Sequence, residues 1–175
     1  MKSNKYLRIF IILFLLALNI GCDQLSKSIV RHKVQYYDRI YFFHKQTYIT
    51  HVENTGAFLG VGDSLTGSAR TILLNLLPLI AVLYGLYFIL TRRDLDRITL
   101  LGLILIVGGG IGNLYDRIVH GLVTDFLFVN FGLFQTGIFN IADMSIMAGV
   151  FMILIHSFFQ KKKDEAETNL SNDNF

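Results

Sequence analysis

The chain has 175 residues, just over half of them apolar, and carries a formal net charge of +3 with one cysteine, one proline and no tryptophan. That length suggests one domain. One cysteine excludes an internal disulfide and any cysteine-rich metal site. The basic residues gather at segment ends, not in an aromatic-interleaved patch, which argues against nucleic acid as a partner.

The apolar residues form four blocks nearly free of charge, each about 16 to 22 residues long, the length a helix needs to cross roughly 30 Å of hydrocarbon. They run from Leu7 to Cys22, Thr71 to Leu90, Ile98 to Ile118 and Ile138 to Phe159. Four transmembrane helices in one domain over residues 1–160 are expected. The first block also has the form of a cleaved signal peptide, because Lys2, Lys5 and Arg8 make a basic region before it.

Between the first two blocks, Ile40 to Val52 has partial alternation of aromatic and β-branched residues and predicts one or two strands. Between the last two, Phe126 to Phe139 is rich in phenylalanine, broken by Gly132 and Gly137, and predicts short strands and turns. Neither is polar enough for an ordinary solvated loop. They suit a platform at the membrane surface, or simply pack on each other. Residues 161–175 are charged and polar and are expected to form a disordered tail.

Lysine and arginine set the orientation. Lys2, Lys5 and Arg8 precede the first block; Arg92, Arg93 and Arg97 fill the loop between the second and third; Lys161, Lys162 and Lys163 follow the fourth. With four spans these share one side, so both termini are expected to be cytoplasmic. The loop from Ser28 to Arg70 is also partly basic, but long loops translocate with less regard to charge.

Ionisable residues at membrane depth are costly and need a reason. At 1.5 Å per residue, Asp23 lies roughly 24 Å beyond Leu7, and Asn113, Asp116 and Arg117 lie roughly 22–29 Å beyond Ile98. Asn140 and Asp143 open the fourth helix, and Asp125 precedes it. All converge near the outer boundary. Alone, each reads as a cap or interfacial anchor; together they read as a site. Asn113 and Arg117 share a helix face, and Gly108 and Gly112 make a small-xxx-small step for close approach of another helix. Asn140 is placed to cap the fourth helix, with Asp143 in its first turn.

The five histidines have no metal-ligand spacing, and no serine–histidine–acid set falls in this group. The recurrent group is carboxylate. Two carboxylates sharing a proton can activate water against a peptide carbonyl. Asp23, Asp116, Asp125 and Asp143 are the candidates. Asp116 adjoins Arg117, and Asp23 is four residues before Lys27, so Asp125 and Asp143 are the less obviously neutralised pair; the residues alone leave the choice open.

Five short motifs stand in order: D-Q-L-S-K at Asp23 to Lys27, N-T-G-A-F at Asn54 to Phe58, G-N-L-Y-D-R at Gly112 to Arg117, V-T-D-F at Val123 to Phe126 and F-N-I-A-D at Phe139 to Asp143. On these the chain resembles the lipoprotein signal peptidases, signal peptidase II. The resemblance implies a mainly α membrane fold with four transmembrane helices, a small extracytoplasmic β-cradle and a short surface helix. It implies an aspartic endopeptidase that cuts just before the diacylglyceryl-modified cysteine of a prolipoprotein, in the bacterial inner membrane, with the site near the outer leaflet. Asp125 and Asp143 fall at the family's catalytic positions. Asp23, Asn54, Gly56, Asn113, Arg117 and Asn140 match residues that line or order its site. No metal or other cofactor is implied; the partners are lipidated precursors and membrane lipid, and the chain is expected to act as a monomer. Two departures are small: one alanine, Ala57, precedes Phe58 where two are usual, and Thr124 replaces a more usual valine.

Three other readings are weaker. Gly21-Cys22 after an apolar run looks like a lipoprotein cleavage site, but Asn19 stands where leucine is wanted, and cleavage would leave an odd number of spans. G-V-G-D at Gly60 to Asp63 with Tyr115-Asp116 looks like the presenilin-type pair, but in reversed order and outside a helix. An ion transporter would place its polar residues at the midplane, not near one surface.

Overall fold

The computed structural model describes residues 5–42, 46–56, 67–132 and 134–172, with side chains described up to residue 162. Four helices form its body: α1 (Lys5–Lys33), α2 (Gly67–Thr91), α3 (Arg97–His120) and α4 (Ile141–Asn172). Each is long and apolar enough to cross a membrane, α4 over Ile141–Lys162. Their outward faces expose large apolar side chains, such as Phe10 and Phe14 on α1, Tyr84 on α2 and Phe151 and Phe158 on α4. A helix bundle that is apolar on its outside as well as in its core is a multi-pass membrane protein.

Helix α3 is the centre and packs against the other three. It starts at Asp96, whose side chain accepts from the backbone N–H groups of Ile98 and Thr99, and stops at Gly121, which takes the left-handed conformation with φ 79°. Close approach is made by glycine. A Cβ on Gly108 would stand 2.6 Å from Asn19 Nδ2, and one on Gly112 2.5 Å from Asp23 Oδ2. The small-xxx-small step is therefore where α1 docks on α3. Ile12, Leu16, Ile89, Ile104 and Val107 fill the space between α1, α2 and α3.

Helix α2 carries a π turn over Ile72–Leu76, just before Pro78. A proline ring cannot donate a backbone hydrogen bond and crowds the preceding turn; the wider π turn makes room for it.

Three antiparallel strands, β1 (Ile40–Phe42), β2 (Thr47–Asn54) and β3 (Val123–Val129), form one sheet in that order. The expected strands lie here, with β3 starting earlier than the phenylalanine-rich stretch suggests. Strand β2 is bulged between Ile49 and Val52, which re-aims its end. Tyr48 stacks on Phe128 across the sheet, and Leu127 bridges to Phe139, tying β3 to the start of α4.

Two boundaries differ from the sequence expectation. Helix α1 does not end at Cys22 but continues to Lys33. The charges that look like its end are satisfied inside the protein, so the helix has no reason to stop. Helix α4 continues to Asn172, where a disordered tail from residue 161 was expected. The stretch Lys161 to Glu167 holds no glycine or proline and is rich in strong helix formers, so an established helix propagates through it. Residues 57–66 lie outside the described residues, and with them Ala57, Phe58 and the Gly60 to Asp63 motif. No separate short surface helix is present among the described residues.

Candidate active site

The polar residues that the depth argument groups together come together in space, at the end of the bundle where β2 and β3 meet α3 and α4. Asn140 and Asp143 form a reciprocal cap on α4. Asn140 Oδ1 accepts from the backbone N–H of Asp143 at 2.9 Å, and Asp143 Oδ2 accepts from that of Asn140 at 3.2 Å. This is a capping box with asparagine and aspartate as its two members, and it fixes the Asp143 carboxyl at the helix N-terminus. The other oxygen of Asp143, Oδ1, accepts from Asn113 Nδ2 at 2.8 Å.

Asp125 sits on β3, not in a loop, facing Val52 across the ladder. Its Oδ2 accepts from Asn54 Nδ2 at 2.8 Å and its Oδ1 from Asn140 Nδ2 at 2.6 Å. Asn140 thus touches both aspartates, one through its side-chain NH2 and the other through its cap. All four carboxylate oxygens receive an N–H, so neither side chain is free to swing. Asp125 is 3% exposed. Burial pushes its carboxyl up to about 6; the hydrogen bonds from Asn54 and Asn140 pull it down, and the neighbouring charge of Asp143 adds to the rise.

A pocket of about 210 Å³ opens in front of the pair. Asn54, Asn113, Arg117, Asp125 and Asp143 form its polar side, and Pro78, Val123 and Ile146 its apolar side. Arg117 does not pair with Asp116. Its Nη2 donates to the Gly56 carbonyl at 2.9 Å, while its buried Nε has no partner among the described residues. Gly56 is itself held by an Asx turn, its N–H donating to Asn54 Oδ1 at 2.8 Å. Asn54, Gly56 and Arg117 thereby form one wall.

Behind the pocket lies a cluster of buried charge. Lys27, fully buried, pairs with Asp23 at 2.8 Å and with Asp116 at 2.9 Å. Its third contact is Asn113 Oδ1 at 3.0 Å. Asn140 Nδ2 donates to the same oxygen at 3.1 Å; with Oδ1 between these two donors, the Asn113 NH2 faces Asp143. Asp23 does not reach the pocket. It accepts from the backbone N–H of Ala142 at 2.9 Å and so braces the first turn of α4. Asp116 is shared with Arg31 at 3.4 Å. Arg31 also donates to Thr124 Oγ1 at 3.0 Å, and that hydroxyl lies 3.3 Å from the Glu53 carboxylate. The threonine that departs from the usual valine is therefore bonded on both sides.

The sequence pairing of Asp23 with Lys27 is found; Asp116, beside Arg117 in sequence, makes its ion pairs with Lys27 and Arg31, and Arg117 turns towards the pocket. Lys27 and Arg31 were missed as organising residues. Their signal is Asp23, Lys27 and Arg31 at a spacing of four along one face of α1, legible only once α1 is known to continue beyond Cys22.

A model of the signal peptidase (SPase) II family matches residues 15–159. The lipoprotein signal peptidase of Borreliella afzelii is 34% identical over 168 residues, covering 93% of this chain and 96% of that protein. That of Clostridioides difficile is 34% identical over 151 residues, 86% of this chain and 97% of that protein. A bacterial membrane enzyme solved by the in meso method at 2.3 Å superposes with a TM-score of 0.77 at 25% identity, over 89% of this chain and 92% of that one. This chain belongs to the signal peptidase II family, and it is a membrane peptidase.

Proposed function

We propose that this peptidase removes signal peptides from diacylglyceryl-modified prolipoproteins by aspartic catalysis, cutting just before the lipidated cysteine. Asp125 and Asp143 are the catalytic pair. The observation that carries this reading is their arrangement: two carboxylates from different elements, bridged by Asn140, facing one small pocket with one apolar side.

The pair holds one proton between its two members. Water attacks the scissile carbonyl carbon as one carboxylate takes a proton from it. The other carboxyl gives its proton to the carbonyl oxygen, and a gem-diol forms. On collapse the C–N bond breaks. The departing nitrogen takes the proton held by the first carboxyl, and a diol hydroxyl returns its proton to the second. The pair ends as it began. Asn54, Asn113 and Asn140 fix the two carboxyls, and Arg117 holds the Gly56 carbonyl in the wall beside them. The apolar side of the pocket suits a substrate segment that itself lies in lipid.

The basic loop of Arg92, Arg93 and Arg97 supports an orientation with both termini cytoplasmic and the aspartates near the outer leaflet of the bacterial inner membrane. There a lipid-anchored scissile bond and water meet. In this reading the working unit is a monomer. The test is cleavage of a diacylglyceryl-modified precursor peptide by purified protein. Asp125→Asn and Asp143→Asn are each expected to slow it about a hundred- to ten-thousandfold. Normal cleavage by either variant would overturn the dyad.

A further inference from the structure

The opposite end of the bundle carries a second cavity. It is a groove of about 480 Å³ between α1 and α3, with Ile11, Leu15 and Leu101 among its apolar walls and Arg8, Arg93 and Arg97 at its rim. That volume is of ligand size. The three arginines are not equivalent. Arg8 is spent on the protein: its Nη2 donates to the carbonyls of Ile89 at 2.9 Å and Arg92 at 2.6 Å, holding the end of α2 against α1. Arg93 and Arg97 are exposed and have no acidic partner among the described residues. Among the described side chains, the two acids nearby are committed elsewhere: Asp94 pairs with Arg92 at 2.6 Å, and Asp96 caps α3 and contacts His156 at 3.1 Å.

We propose that this groove binds one anionic glycerophospholipid of the adjacent leaflet, with its phosphate on Arg93 and Arg97 and an acyl chain along Ile11, Leu15 and Leu101. Two features select a lipid over a soluble anion. From Arg8 to Leu15 the groove descends roughly 10 Å into the apolar span at 1.5 Å per residue, so phosphate at the rim leaves apolar wall to be covered. Among the described side chains, the free charge at the mouth is wholly positive, and basic pockets between membrane helices take anionic head groups. The occupant would press α1 against α3, the same two helices that carry the Asp23–Lys27–Asp116 cluster at the far end. The inference rests on the membrane fold and stands apart from the peptidase reading.

Native mass spectrometry of the full chain in detergent tests it, using phosphatidylglycerol and phosphatidylcholine with identical acyl chains. A single saturating phosphatidylglycerol adduct is expected, bound roughly 30-fold more tightly than phosphatidylcholine, from two free guanidiniums. The double variant R93Q/R97Q is expected to bind both lipids alike. Leu101→Trp, which fills the wall, is expected to weaken both. Equal retention of the two lipids by the wild type, an unsaturating ladder of adducts, or an unchanged preference in R93Q/R97Q would overturn the proposal. Binding of inorganic phosphate as tight as that of phosphatidylglycerol would also overturn it, because the acyl chain would then contribute nothing.

Discussion

The two ends of the bundle use charge in opposite ways. At the aspartate end, Asp23, Lys27 and Asp116 are each fully buried; Asp23 and Lys27 pair within α1, and the Lys27–Asp116 bond crosses to α3. At the arginine end, Arg92 and Asp94 form an even shorter pair, at 2.6 Å, but more than half of each side chain is in solvent. Length of contact is thus a poor guide to consequence. A buried ion whose partner is removed cannot turn to water, whereas an exposed one can. The buried set also has a use that the exposed pair lacks: it orients Asn113 and the first turn of α4, and through them Asp143.

The largest effect expected from breaking this contrast follows Lys27→Met. It leaves the buried Asp23 without a cation and Asp116 with only the longer pair to Arg31, at a cost of about 3–5 kcal/mol. Folded yield and the thermal midpoint in detergent are expected to fall together. Adding Asp23→Asn and Asp116→Asn is expected to restore much of the midpoint, with the Asn113 oxygen still held by the Asn140 amide at 3.1 Å. An unchanged midpoint for Lys27→Met would mean that water reaches the cluster and screens it.

That cluster also marks the limit of what the sequence could tell. The four spans were legible because uncharged apolar runs of this length have few other uses, and the sheet because aromatic and β-branched residues alternate there. The grouping of Asn113, Asn140, Asp125 and Asp143 followed from depth along the helices. Depth did not choose among four aspartates; the family motifs did. The end of α1 was misread because Asp23, Lys27 and Arg31 look like the edge of a span. Their partners, Asp116 and Asn113, are more than 80 residues away in sequence, and no local pattern announces them. Arg117 next to Asp116 misled in the same way, since adjacent residues on a helix point to different sides.

A smaller effect concerns Asp125, whose carboxyl is pushed up from 3.8 to about 6 by burial. A raised acid favours its protonated form in the folded state. Folding is therefore penalised above about pH 6, and the penalty fades as pH falls towards 4. A shift of about two units corresponds to roughly 3 kcal/mol. Asp125→Asn removes that penalty and loses about 1 kcal/mol for one disturbed hydrogen bond. The variant is expected to have a higher thermal midpoint than the wild type near pH 8, and to lose the advantage near pH 4.5. A variant less stable at both pH values would show that the bonds from Asn54 and Asn140 outweigh the cost of burying the charge.

The smallest effect belongs to Asp94, and it completes the contrast. Its carboxyl is displaced by about as much as that of Asp125 but in the other direction, from 3.8 to about 2, chiefly by the hydrogen bond from Arg92. A lowered acid contributes stability above about pH 4 that is lost as pH falls through 2. Taken at face value, Asp94→Asn should cost as much at neutral pH as Asp125→Asn gains. Solvent decides otherwise. Both side chains of the Arg92–Asp94 pair are largely exposed, so water and salt replace the lost partner. The thermal midpoint of Asp94→Asn at neutral pH is expected to be indistinguishable from that of the wild type, at both low and high salt. A clear fall that persists at high salt would mean that the loop between α2 and α3 is more enclosed than its exposure indicates, and that the two ends of the bundle differ in degree and not in kind.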